Sequence, residues 1–176
     1  KYHDVIIVGA GPVGLFLAGE LCLAGCSVLM LEQAQAPASP LKDLPFGLRG
    51  LSAATMETCD RRDLLEPLKS RAVDRDGMPT AHWMRPGRRA AGHVAVIPCV
   101  QDQVDGATWP YRLPGPIGGM AADMAGIETV LADRALAMGA EIRRGCKGEN
   151  LSQSETKVSV RTNGSTFEGL WLVGCD

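Results

Sequence analysis

Nowhere in these 176 residues does an apolar stretch outrun the length of a strand. A transmembrane helix, which needs about 20 consecutive apolar residues, is therefore not expected. A basic excess is missing as well: 18 Lys and Arg against 20 Asp and Glu leave a net charge of −2. That is too little positive charge to neutralise a run of phosphates, which argues against a nucleic-acid partner. The first residues read as a strand and not as the cationic and apolar regions of a signal peptide. Six cysteines (Cys22, Cys26, Cys59, Cys99, Cys146 and Cys175) lack paired spacing, and the three histidines form no zinc-type cluster with them. They are expected to be buried free thiols in a reducing, cytoplasmic compartment. There is no repeat, no low-complexity tract, and no Ser-His-Asp or paired-carboxylate constellation, so the catalytic residues are unknown. His82 and His93 read as packing or surface histidines. With 45% hydrophobic residues, the chain is expected to be a soluble globular one, long enough for one ordinary domain with a real core.

What is present begins at once. Val5-Ile6-Ile7-Val8 runs into Gly9-Ala10-Gly11-Pro12-Val13-Gly14, and Glu32 closes the next apolar run. A strand, a GxGxxG turn, a helix and a second strand ending on an acid form a dinucleotide-binding βαβ unit. Gly9 permits the tight turn, Gly11 lets backbone approach a pyrophosphate, and Gly14 lets the helix pack close to the sheet. The helix N-terminus presents N–H groups and partial positive charge to the diphosphate. Glu32 is placed to accept hydrogen bonds from ribose hydroxyls. An acid there in place of an arginine disfavours a 2′-phosphate, and so NADP in this first site. The unit by itself fits either FAD or NAD.

Further along, residues 13–24 read as a helix stopped by Gly25, and residues 28–31 as the second strand. Three prolines and little periodicity make residues 33–50 a long loop. Ser52 can cap a helix through about Arg62, with Met56 and Cys59 inward and Glu57, Asp60 and Arg61 outward. From about Arg71 to Ala122 prolines and glycines recur, and only residues 93–97 resemble a strand. The Arg85, Arg88 and Arg89 cluster there reads as a solvated loop around the Pro86-Gly87 turn. Asp123 is a candidate N-cap for a helix whose face carries Ile127, Val130, Leu131, Ala135 and Met138, with Gly139 as its stop. Residues 140–143 then extend a parallel sheet. Residues 157–161, the Asn163-Gly164 turn and residues 166–168 make an antiparallel hairpin. Trp171 to Val173 returns to the sheet as a buried strand. The expected class is α/β: a Rossmann-like domain with a parallel sheet plus an antiparallel hairpin, incomplete, and carrying an inserted segment. Its division is 1–71 and 123–176 for the cofactor domain, with 72–122 as an insertion belonging to a substrate domain. Lys1 at the start and a strand tip at the end suggest the N-terminal piece of a longer protein.

Four blocks carry a family signature in this order: the glycine loop, Arg49-Gly50-Leu51-Ser52-Ala53-Ala54-Thr55-Met56-Glu57, Ile127-Glu128-Thr129-Val130-Leu131 before Gly139-Ala140-Glu141-Ile142-Arg143, and Leu172-Val173-Gly174-Cys175-Asp176. Together they resemble the FAD-dependent aromatic hydroxylases, the flavoprotein monooxygenases typified by p-hydroxybenzoate hydroxylase, and are phrased like the aromatic polyketide hydroxylases among them. The resemblance implies that Gly9, Gly11, Pro12, Val13, Gly14, Glu32 and Gln33 bind the ADP half of FAD. It implies that Arg49 supports the pyrophosphate or ribityl region, a role suited to a bidentate guanidinium. It also implies that Asp176 touches the pyrophosphate and bears on NAD(P)H use. The implied function is NAD(P)H-dependent hydroxylation of an aromatic or polyketide small molecule with O2, and no metal. Departures are Gly126, where many members carry a glutamine, Gln33 in place of an arginine, and Asp63 where a glycine usually ends the arginine helix. The alternatives are an NAD-dependent Rossmann dehydrogenase and an inert cofactor-domain fragment.

Overall fold

In the computed structural model, residues 2–72, 90–94, 97–100, 105, 107–108 and 117–175 are described. In chain order the elements are β1 (Tyr2–Val8), α1 (Pro12–Leu23), β2 (Val28–Glu32), β3 (Leu48–Leu51), α2 (Ala53–Asp60), α3 (Leu65–Lys69), β4 (Ala90–Val94) and β5 (Ile97–Val100). There follow β6 (Met120–Asp123), α4 (Met124–Ala137), β7 (Glu141–Arg144), β8 (Glu149–Gln153), β9 (Val158–Arg161) and β10 (Thr166–Gly174). The chain divides into two compact units, Lys1–Ser39 with Ile127–Asp176, and Pro40–Gly126.

Six strands of the first unit form one mixed sheet in the order β7-β2-β1-β10-β9-β8. The first four run parallel, β9 pairs antiparallel with β10, and β8 pairs antiparallel with β9. The runs Val5–Val8 and Val28–Leu31 lack polar alternation because parallel strands are covered on both faces. On one face Ile6, Leu29 and Leu31 pack with Val160 of β9 and Phe167 of β10, so one core runs from the parallel strands into the antiparallel part of the sheet. The Arg143 guanidinium of β7 stacks 4.8 Å from the Phe167 ring centroid on the same side. The period of two sends Val5, Ile7 and Met30 to the opposite face, and all three are buried. Helix α1 buries Gly14, Leu15, Ala18 and Gly19, and the Arg134 side chain of α4 lies against Gly19. Helix α4 buries Ile127, Val130, Leu131 and Ala135 of the expected face, whereas Met138 lies past the end of the helix and is half-buried.

The punctuation matches its chemistry. Gly25, at φ +86°, ends α1: its N–H donates to the Cys22 carbonyl, and the Cys26 N–H donates to the Leu21 carbonyl. Gly139, at φ +99°, ends the α4 segment in the same left-handed region. Asp123 caps α4 by accepting the Gly126 N–H at 2.6 Å, and Ser52 caps α2 by accepting the Thr55 N–H at 3.1 Å. Met56 and Cys59 are buried and Asp60 and Arg61 exposed, while Glu57 is half-buried.

Four expectations are corrected. Residues 48–50 do not belong to a loop; they open β3, which pairs antiparallel with β6 in the second unit. Exposed Arg49 and Gly50 at its centre hide the strand alternation. The single strand expected over 93–97 is a hairpin of β4 and β5. Strand β8 has no counterpart in the pattern because all five of its residues are exposed, which leaves no apolar period to read. Leu170 and Trp171 were expected inside but stand exposed, Trp171 at 71%, since no described element of this unit covers that stretch of β10. Of the five described cysteines, all free, only Cys59 is buried and the rest are half-buried. The Arg85, Arg88 and Arg89 cluster and His82 lie outside the described residues, as do the side chains of His93 and Cys99.

Candidate cofactor site

The site is built where β1 gives way to α1, beside the end of β2. Gly9 leaves the strand at φ +106°, a conformation closed to side-chain-bearing residues. Its N–H donates to the Leu31 carbonyl at 2.8 Å, and the Cys175 N–H donates to the Val8 carbonyl at 2.7 Å. The turn is thus fastened to both neighbouring strands. A Cβ on Gly14 would collide with the Gly9 carbonyl oxygen and crowd the Cys175 side chain. Gly9 is required by its backbone conformation and Gly14 by the chain's own packing.

Gly11 is different. It is the N-cap of α1 in extended conformation, φ −76° and ψ 178°, which any residue adopts. A Cβ there would meet nothing nearer than the Cys175 carbonyl oxygen at 4.0 Å. Neither backbone geometry nor packing within the described residues demands a glycine here. The open cradle suits a group from outside the chain that must touch backbone. The start of α1 agrees: Gly11 offers no side-chain cap, Pro12 occupies the first turn, and no acidic residue lies in it. The first-turn N–H groups and the positive end of the helix dipole are left for an anion such as a diphosphate. Val13 is 71% exposed on the same turn.

Glu32, half-buried at the end of β2, accepts the Ala10 N–H through Oε2 at 2.7 Å and the Ala34 N–H through Oε1 at 2.8 Å. Its carboxylate joins the glycine loop to the segment leaving β2. Each oxygen keeps a further lone pair able to accept from another donor. The Ala10 donor was not legible in the sequence, since its approach to Glu32 depends on the pairing of β1 with β2, whereas the Ala34 donor is a local one two residues on. Gln33 is exposed beside it.

Arg49 sits in the second unit, exposed on β3, where Nη1 donates to the carbonyls of Phe46 at 3.0 Å and Leu48 at 2.8 Å. Its Nε and Nη2 have no described partner. Gly126 lies buried in the first turn of α4 against the Asp123 carboxylate and the Arg71 Cβ, so a longer residue there would need those groups to move. Asp176 lies outside the described residues. Among the described residues no group of three His, Cys, Asp or Glu side chains is arranged to hold a metal ion, and no helix is long and apolar enough to cross a membrane.

A glycine loop with an open cradle at Gly11, a helix start facing it and an acid at the end of β2 define a dinucleotide-binding module on a mixed sheet. The chain belongs to the family described as FAD binding domain, which matches residues 2–176. That match decides between the two cofactors that the glycine loop left open. A monooxygenase of Claviceps purpurea is 35% identical over 176 residues, covering 99% of this chain and 34% of that relative. Among solved structures, the Diels-Alderase of pyrroindomycin biosynthesis superposes with a TM-score of 0.73 at 32% identity, over 98% of this chain and 32% of that one. The anhydrotetracycline hydroxylase of Streptomyces rimosus superposes with a TM-score of 0.70 at 32% identity, over 100% of this chain and 32% of that one. The chain spans about a third of the length of these relatives.

Proposed function

We propose that this chain is the FAD-binding part of an NAD(P)H-dependent flavoprotein monooxygenase, working in the cytoplasm, that places one oxygen atom of O2 on an aromatic, polyketide-type small molecule. The observation that carries the cofactor half of this reading is the unforced glycine at position 11. The relatives named monooxygenase and hydroxylase support the chemical half. FAD, when bound, supplies the hydride acceptance and oxygen activation of the reaction.

The chain's own residues bind and orient. The Gly9–Gly14 loop and the start of α1 hold the diphosphate by backbone N–H groups. Pro12 fixes the first turn of that helix, and Val13 covers the loop with apolar surface. Glu32 takes the ribose hydroxyls on the lone pairs left free by Ala10 and Ala34, with Gln33 beside it. Arg49 is assigned to support the pyrophosphate or ribityl region with its guanidinium, and Asp176 to contact the pyrophosphate. Residues 72–122 belong with the substrate domain.

FAD titration of two variants tests the reading. Gly11→Ala should lower the stability of the FAD-free protein by less than about 1 kcal/mol, because its methyl enters open space. It should nevertheless lose FAD by ten-fold or more. Gly14→Ala should unfold at lower temperature even without FAD, since its methyl strikes the Gly9 carbonyl. Wild-type FAD affinity in Gly11→Ala would overturn the assignment of the cradle.

A further inference from the structure

The turn between β9 and β10 carries Asn163-Gly164, a pair that the cofactor reading does not use. Residues 162–165 form this turn, between Arg161 of β9 and Thr166 of β10, which are partners in the sheet. Buried Thr162 closes it, for its N–H donates to the Ser165 carbonyl at 2.8 Å. Gly164 takes the left-handed position at φ +91°, where a glycine is favoured. Asn163, Gly164 and Ser165 all stand exposed. Among the described residues, neither the Asn163 side-chain amide nor the Gly164 N–H has a hydrogen-bond partner. A Cβ on Gly164 would meet nothing within 4 Å, so no neighbouring group crowds that residue. An asparagine amide and the nitrogen of the glycine after it, both unbonded and in water, are the two reactants of an intramolecular ring closure. The chain has one other asparagine, Asn150, exposed on β8. Leu151 follows it, and a residue with a side chain screens its own backbone nitrogen as glycine does not.

We propose that Asn163 is a modification site, a deamidation centre that the fold leaves open to conversion into aspartate and isoaspartate. The Gly164 nitrogen gives up its proton to hydroxide and bonds to the Asn163 Cγ. The Cγ–Nδ2 bond breaks, and the departing nitrogen takes a proton from water and leaves as ammonia. A five-membered succinimide ring remains, which water opens at either carbonyl. Attack at Cγ gives aspartate. Attack at the main-chain carbonyl gives isoaspartate, in which the chain runs through the former side chain. One water is consumed and one ammonia released, with no change of oxidation state. Either product adds a negative charge to the turn. Isoaspartate also adds one methylene to the main chain between Thr162 and Ser165, slackening the turn that their hydrogen bond closes. The site lies on the hairpin alone and stands whether or not the cofactor reading does.

Mass spectrometry of the aged protein tests it. Trypsin separates residues 162–176, which hold Asn163, from residues 148–157, which hold Asn150. In protein kept folded in mildly alkaline buffer, the first peptide should gain about 1 Da over an unaged sample. An isoaspartyl methyltransferase should label part of the product. The rate in the folded chain should lie within roughly ten-fold of that of the same peptide aged free in solution, about 1.4 kcal/mol of protection or less. The peptide of Asn150 should keep its mass. Asn163→Gln, one methylene longer on an exposed side chain, should abolish the gain. An Asn163 that stays intact in the folded chain while the free peptide converts, an equal gain at Asn150, or a gain without isoaspartate would overturn the proposal.

Discussion

Gly9, Gly11 and Gly14 stand in one motif for three different reasons, and only coordinates separate them. Gly9 answers to backbone conformation, Gly14 to packing, and Gly11 to neither. Glu32 likewise has a second duty, as acceptor for the N–H groups of Ala10 and Ala34. Glu32→Ala should therefore weaken FAD binding by about 1–3 kcal/mol, roughly 5- to 150-fold in Kd, and also lower the stability of the FAD-free protein by leaving two backbone donors without acceptors. A melting curve and an FAD titration on the same variant separate the two effects. If the carboxylate served the ribose alone, the melting curve would not move. Asp63 is the third residue with a definite consequence. It sits at φ +56°, in the left-handed region where a glycine is favoured, two residues beyond the Arg61 cap of α2. Asp63→Gly should relieve that strain and raise stability by about 0.5–1 kcal/mol, read as a higher urea midpoint with unchanged slope.

At the scale of elements, the entry to the βαβ unit is held by a compact exchange between two strand starts. The Asp4 N–H donates to Ser27 Oγ at 2.9 Å, and both the Ser27 N–H and its hydroxyl donate to Asp4 Oδ2 at 2.7 Å. The Ser27 backbone bond, aided by its hydroxyl, holds the Asp4 carboxyl below its ordinary range. A carboxylate depressed in the folded state stabilises above its unfolded value, and that stabilisation is lost as pH falls through the depressed folded value. Asp4→Asn should accordingly flatten the acid limb of the stability profile while leaving the neutral-to-basic limb parallel to wild type, measured by denaturant melts across pH. Helix α4 and strand β9 were legible because each buries one regular face, and β1 and β2 because each is an unbroken apolar run. Strand β8 was not, being exposed throughout, nor was β3, whose centre is an exposed Arg-Gly pair. The exposed Leu170 and Trp171 show the converse, for an apolar run states a preference and not its satisfaction.

At the scale of the molecule, the first unit is assembled from residues far apart in the chain, Lys1–Ser39 and Ile127–Asp176. Strand β10 joins β1 across more than 160 residues, and the Cys175 N–H closes on Val8. Ligand binding should be felt across that whole unit. FAD at about 100 times its Kd should stabilise the protein by about 2.7 kcal/mol, seen as a rise in melting temperature that grows with FAD concentration, and the same FAD should give Gly11→Ala about 1.4 kcal/mol or less. A melting temperature indifferent to FAD would count against a preformed site.

The sequence by itself determined the βαβ unit, its glycine turn, the acid that ends β2 and the caps of its helices. Each of these is a local pattern in which a residue's own conformational or hydrogen-bonding chemistry decides the outcome. It determined the family as well, through blocks whose order survives without any contact being known. Tertiary structure alone decided which glycine the fold does not need, that the Ala10 N–H is brought onto Glu32, and that β10 is one strand serving two neighbours in opposite senses. Those facts depend on distances between segments that only pairing and packing bring together.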